Sequence, residues 1–222
     1  MLIMPEPQII KSKRRTIALQ IAPDGTLLVR APLRASMHQI QQFIDYNREW
    51  IDEHLQKVEM RPRVDKHSFK EGETFWFLGN KVILTIGEFK QIEVKGDKLL
   101  FPRILVFRVQ KELTAWYIKQ ARLLITQQVE YFAEQMKTSF ISLTFSDTKS
   151  QWGRCTKDNR LQFSWRLIMS PLLTLNYVVI HELAHTLEKN HSRAFWSRVR
   201  LYNPSYRQQI KWLQTHGQTL TV

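Results

Sequence analysis

Three of the seven histidines of this 222-residue chain fall within eleven consecutive positions, His181 to His191. His181 and His185 are four apart, so on a helix they lie one turn apart on the same face. Glu182 sits beside them, offset by about 100° around the axis. Two imidazoles in that relation can bind one Zn²⁺, and the carboxylate between them can serve as a base toward water at the metal. His191 can swing back as a third ligand. The alternative for the same residues is a buried helix whose histidines satisfy local carbonyls, which leaves the third histidine unexplained.

The flanking residues are those needed to position the motif. Ser170-Pro171 reads as an N-cap followed by Pro at the first helical position. Leu172, Leu173, Leu175, Val178, Val179, Leu183, Ala184 and Leu187 make the helix apolar enough to pack on a core. Asn190 can take the left-handed conformation that ends a helix and returns His191 toward its partners. Ser192 can cap a further helix carrying Phe195, Trp196 and Val199, and Asn203-Pro204 begins another that closes at Gly217. Upstream, 141–145 reads as a strand, and Leu161, Phe163, Trp165 and Leu167 alternate along a second strand over 161–167. That strand can serve as sheet core or offer an edge to an extended peptide.

Earlier segments carry no clustered chemistry. Strands at 16–21 and 27–30 form a hairpin through Pro23-Asp24-Gly25 after a loose lead-in over 1–10. A single helix follows Ser36, with Ile40, Ile44, Ile51 and Leu55 on its buried side, and 57–68 reads as a connector. Further strands are expected at 74–78 and 82–86 around a Gly79-Asn80 turn, and at 92–94 and 99–101 around Gly96-Asp97. A long helix is expected over 108–137. His38, His54 and His67 are isolated and read as surface or packing residues. The chain thus divides into a mainly β N-terminal region with one helix (1–103) and an α+β C-terminal region (104–222), which can form one continuous domain.

Composition bounds the function classes. With 43% hydrophobic residues and seven tryptophans the chain is a folded globular protein. Its single cysteine, Cys155, excludes an intramolecular disulfide and points to a reducing, cytoplasmic setting. It reads as a small packing residue. No signal segment and no apolar run of membrane-spanning length are present, so no membrane partner is expected. A net charge of +13 favours anionic partners such as nucleotides, nucleic acid or acidic peptides, although the basic residues are dispersed. No zinc-finger spacing or phosphate-binding loop accompanies the charge.

Trp152-Gly153-x-Cys155, Trp165-Arg166-Leu167-Ile168, Tyr177-Val178-Val179 leading into His181-Glu182-Leu183-Ala184-His185, and Asn190-His191-Ser192 followed by Phe195-Trp196 form a specific combination. Together with Trp212-Leu213 and Gly217, and with Lys13-Arg14-Arg15, Asp24-Gly25, Ala31-Pro32 and Trp50-Ile51 near the start, they resemble the YgjP-like metallopeptidase family. That family is related to the SprT-like and Wss1-like zincins. The resemblance implies a minimal zincin-like domain, a small sheet on an active-site helix, with His181, His185 and His191 as zinc ligands and Glu182 as base. Two positions depart from the family pattern: Arg154, where a small residue is usual, and Ser164, where asparagine is usual. The ligand spacing also matches the metzincin frame, but Glu188 stands where that frame has glycine, so the turn before His191 must be built differently.

Arg154, Arg166 and Lys149 are candidates for stabilising an oxyanion or holding an anionic substrate. Three functions suit these residues. The first is a zinc peptidase acting on peptides or proteins. The second is a metal-dependent nucleoside triphosphate pyrophosphatase on the same site. The third is a non-catalytic, zinc-stabilised nucleic-acid-binding module, against which the carboxylate of Glu182 speaks, because a structural site has no use for a base.

Overall fold

The structure is a computed structural model describing residues 5–22, 24–59, 67–149 and 151–222. Two compact units divide the chain near residue 62. The connector expected at 57–68 lies largely outside the described residues, as do Pro23 of the first turn, Ser150 and the first four residues.

The first unit holds three strands in the order β1-β3-β2. β2 (Ala18–Ile21) and β3 (Leu27–Pro32) form the expected hairpin. The lead-in is not loose throughout: β1 (Gln8–Ser12) pairs in parallel with β3. Leu27, Val29 and Ala31 alternate inward and are covered by Ile40, Ile44 and Ile51. The single expected helix is two, α1 (Met37–Tyr46) and α2 (Arg48–Glu59). Ser36 and Gln39 form a capping box at the start of α1. Asn47 separates the helices, its side-chain amide donating to the Phe43 carbonyl at 2.7 Å.

In the second unit, β4 (Thr74–Phe77), β5 (Asn80–Gly87), β6 (Glu93–Lys95) and β7 (Lys98–Pro102) form a sheet in the order β4-β5-β7-β6, with β5 and β7 parallel. The β4–β5 turn is Leu78-Gly79, one residue earlier than expected, and both have positive φ, 47° and 79°. α3 (Val109–Gln135) runs 27 residues, about 40 Å, with Val109, Leu113, Tyr117, Ala121, Ile125, Val129 and Ala133 buried at every fourth position. β8 (Ser142–Ser146), β9 (Gly153–Cys155) and β10 (Arg160–Ser164) make the second sheet, in the order β8-β10-β9. α4 (Leu172–Leu187), α5 (Arg193–Tyr202) and α6 (Tyr206–His216) complete the mixed α and β architecture, six α-helices among the described residues.

One apolar cluster joins Phe75, Leu84 and Phe101 of the first sheet, the buried side of α3, Leu161 and Phe163 of β10, and the α4 core. A division near residue 103 would cut through that cluster, which is why the compact unit begins some forty residues earlier. The strand expected over 161–167 stops at Ser164. Trp165–Met169 is a tight 3₁₀ turn in which all five residues are buried. The apolar alternation therefore continues past the strand as the buried lining of a turn. β10 is also the central strand of its sheet, paired on both sides, so the edges belong to β8 and β9.

Candidate metal centre

α4 places His181 and His185 on one face with ring centroids 4.9 Å apart. Its start differs from expectation. Pro171 is the N-cap, and Ser170 is buried with its hydroxyl donating to the Leu167 carbonyl at 2.7 Å. Its end differs too, because the last helical residue is Leu187 and Glu188 is extended (φ −130°, ψ 103°). Asn190 has no left-handed conformation. The break at Glu188 thus supplies the turn that glycine supplies in the metzincin frame. Ser192 then caps α5, its hydroxyl accepting from the Phe195 amide at 3.2 Å.

The result is a convergence of three imidazoles whose ring nitrogens lie within 4.8 Å of one another. His181 Nε2 and His191 Nε2 are 3.2 Å apart. Two nitrogens on a tetrahedral Zn²⁺ would be about 3.3 Å apart, given the usual Zn–N distance. The outer nitrogens of His181 and His185 are engaged elsewhere. His185 Nδ1 donates to the Glu188 carbonyl at 3.0 Å, and the Tyr177 hydroxyl lies 3.4 Å from His181 Nδ1. The Glu188 carbonyl can only accept, so it fixes the His185 tautomer that leaves Nε2 as a lone-pair donor, and the Tyr177 hydroxyl can accept from His181 Nδ1 in the same tautomer. Burial, followed by the charges of His185 and His191, holds His181 down to about 3, so its ring is neutral at physiological pH. Burial also lowers His185. Convergent imidazoles are a donor set that Zn²⁺ and related divalent ions accept, and the cluster could hold one.

Phe195 organises the cluster from behind. Fully buried, it packs its ring 4.9, 4.5 and 4.8 Å from those of His181, His185 and His191. Trp196 stacks on His191 at 5.6 Å and on Tyr206 at 5.2 Å. The sequence signal for these residues is their place in the Phe195-Trp196 pair after the capping serine, which says nothing of a ring shared by three histidines.

Glu182 lies on the adjoining face and is buried. Burial raises its carboxyl to about 7, opposed by a hydrogen bond from the Cys155 backbone amide. That amide belongs to the edge strand β9, which passes directly over the carboxylate. A Cβ on Gly153 would fall 2.6 Å from Glu182 Cγ and 2.7 Å from Oε1. Only glycine allows so close a passage. Beside Glu182 and His181 opens a cleft of about 390 Å³, lined also by Trp152, Gly153, Tyr177, Val178, Ile210 and Leu213.

The three cationic candidates are not gathered there. Arg154 is exposed on β9, and strand alternation turns it to the face opposite Gly153 and Cys155. Lys149 is exposed on the loop after β8 and does not line the cleft. Arg166 is buried in the 3₁₀ turn. It donates through Nη2 and Nε to Asp147 at 2.8 and 3.0 Å and through Nη1 to the Leu220 carbonyl at 3.2 Å, with its guanidinium over the Trp165 ring. Its placement is that of an internal fastener.

No curated protein matches the chain. Among solved structures, the crystal structure of the metallopeptidase zymogen of Pyrococcus abyssi abylysin is similar at 18% identity and a TM-score of 0.38, covering 41% of this chain and 92% of that one. No helix among the described residues is long and apolar enough to cross a membrane. The family model of the YgjP-like metallopeptidase domain matches residues 15–216, and on that extent the chain belongs to the YgjP-like family.

Proposed function

We propose that this chain is a zinc-dependent peptidase in which His181, His185 and His191 hold the ion and Glu182 is the general base. The observation that carries the reading is the convergence of three imidazoles, one of which, His181, lines the same cleft as the buried carboxylate of Glu182. A divalent ion bound there supplies Lewis acidity toward a carbonyl oxygen and toward water.

The chain's own residues supply the rest. With a cation held among the imidazoles, Glu182 favours its carboxylate form, which is the form a base requires. Glu182 takes a proton from the attacking water and returns it to the departing amine. The Cys155 amide keeps that carboxylate oriented, and Gly153 leaves the space through which it reaches the cleft. The Glu188 carbonyl holds His185 in its binding tautomer, and the Tyr177 hydroxyl lies where it can accept from His181 Nδ1 in the same tautomer. Nothing in the cleft wall favours a nucleotide, because its described lining contains no lysine or arginine.

The test is purification of the zinc form, metal quantitation, and hydrolysis of peptide substrates by wild type and Glu182→Gln. About one zinc per chain is expected, with peptide cleavage reduced on the order of 10²–10⁴-fold in the variant while zinc is retained. A variant that keeps full activity, or a wild type that binds no metal, overturns the reading.

A further inference from the structure

The cleft has a composition that the net charge of +13 does not suggest. Its wall is formed by Trp152, Tyr177, Val178, Ile210 and Leu213, and His181 and Glu182 line it as well. The polar side chains at its margin, Gln151 and Gln214, are uncharged and exposed. Its volume of about 390 Å³ is in the range of formed ligand pockets and has room for one large side chain with the backbone beside it. The wall is also held in place. Trp152 packs against Gly217, where a Cβ would fall 2.7 Å from Trp152 Cζ2, and the Trp152 carbonyl accepts from the Ser164 amide at 2.9 Å.

We infer that this cleft selects a large, uncharged apolar side chain, aromatic or branched aliphatic, immediately beside the peptide bond to be cleaved. The inference rests on the peptidase reading above and adds its substrate class. Such a cleft excludes as well as fits. An acidic side chain in the cleft would face the Glu182 carboxylate, a like charge. A lysine or arginine would exchange its hydration for apolar walls and draw the charge of the one group needed as base. A glycine or alanine would leave the walls uncovered and forgo the burial that a larger apolar group supplies.

The experiment is a cleavage-site profile. The zinc-loaded full chain is incubated with a defined mixture of peptides covering all residues on both sides of the bond, and products are identified by mass spectrometry. Large apolar residues at one position flanking the bond should be preferred at least about tenfold over Gly, Ala, Asp and Glu there. Leu213→Trp and Ile210→Trp narrow the cleft from one side without touching the histidines or Glu182, and should move the preference toward small residues at unchanged zinc content. If either variant loses zinc, the wild-type profile decides alone. Cleavage with no side-chain preference, or with preference for a charged residue, overturns the inference while leaving the peptidase intact. Absence of all peptide cleavage by the zinc-loaded protein overturns both.

Discussion

Gly153 lies so close to Glu182 that a single added methyl group would overlap the carboxylate, at 2.6 Å from Cγ and 2.7 Å from Oε1. Either the edge strand or the proposed base must then shift. Gly153→Ala is expected to lower kcat by about 10²-fold, the cost of displacing a reacting group by roughly an ångström. Zinc content should stay at the wild-type level, since the imidazoles are not displaced. A variant with unchanged kcat would show that β9 yields without moving Glu182.

Tyr177 contributes a hydroxyl to His181 Nδ1, 3.4 Å away. Its own ionisation is out of range, because burial, with Glu182 and Tyr206 adding to it, pushes the phenol up to about 12. On the proposed metal reading, Tyr177→Phe should weaken zinc affinity about 10-fold, the lower end of what loss of an orienting partner costs. Competition with a chromophoric chelator measures it, and equal affinities would remove Tyr177 from the site.

Arg166 separates a substrate role from a structural one. Arg166→Met keeps much of the apolar stem but leaves the Leu220 carbonyl without its donor and Asp147 without its partner. Because Asp147 is largely exposed, the loss should be modest, about 1–3 kcal/mol of unfolding free energy. KM for peptides should be unchanged. A raised KM with unaltered stability would return Arg166 to the substrate.

Acid stability should report on Glu73. Its carboxylate is penalised by burial, but hydrogen bonds from His67, Ser68 and Lys70 outweigh that and lower it below its ordinary value of 4.5. A depressed carboxyl contributes stability that is present above the unfolded value and disappears as pH falls through the folded one. The difference in Tm between wild type and Glu73→Gln should therefore be constant near neutrality and shrink below about pH 4.5. A difference that grows on acidification would contradict the assignment.

Much of this arrangement is legible in the sequence, for a physical reason. Long periodic segments such as α3 and α4 are specified by their own side-chain pattern, and the β2–β3 hairpin by glycine between apolar runs. The helical spacing likewise places His181 and His185 together. What sequence alone mislocates is decided by distant partners. Trp165 and Leu167 alternate like a strand, yet their environment is a buried turn packed on α3. Asn190 is competent for a left-handed cap, but an extended Glu188 ends the helix first. Arg166 reads as a free cation because nothing nearby in sequence announces Asp147 or the Leu220 carbonyl. Gly153 is read only as part of a motif, whereas its need for glycine arises from a side chain twenty-nine positions away.

The buried ring of Phe195 has a further consequence. On the proposed reading, one side chain of α5 is the common backing of every ligand, so docking of that helix and occupancy of the site are a single equilibrium seen from two sides. Truncation to alanine, a core loss of about 3–5 kcal/mol, should therefore release zinc as well as lower Tm. Conversely, chelation should loosen α5 before the rest of the core. Metal supply would then govern how long the folded chain persists as well as whether it can react.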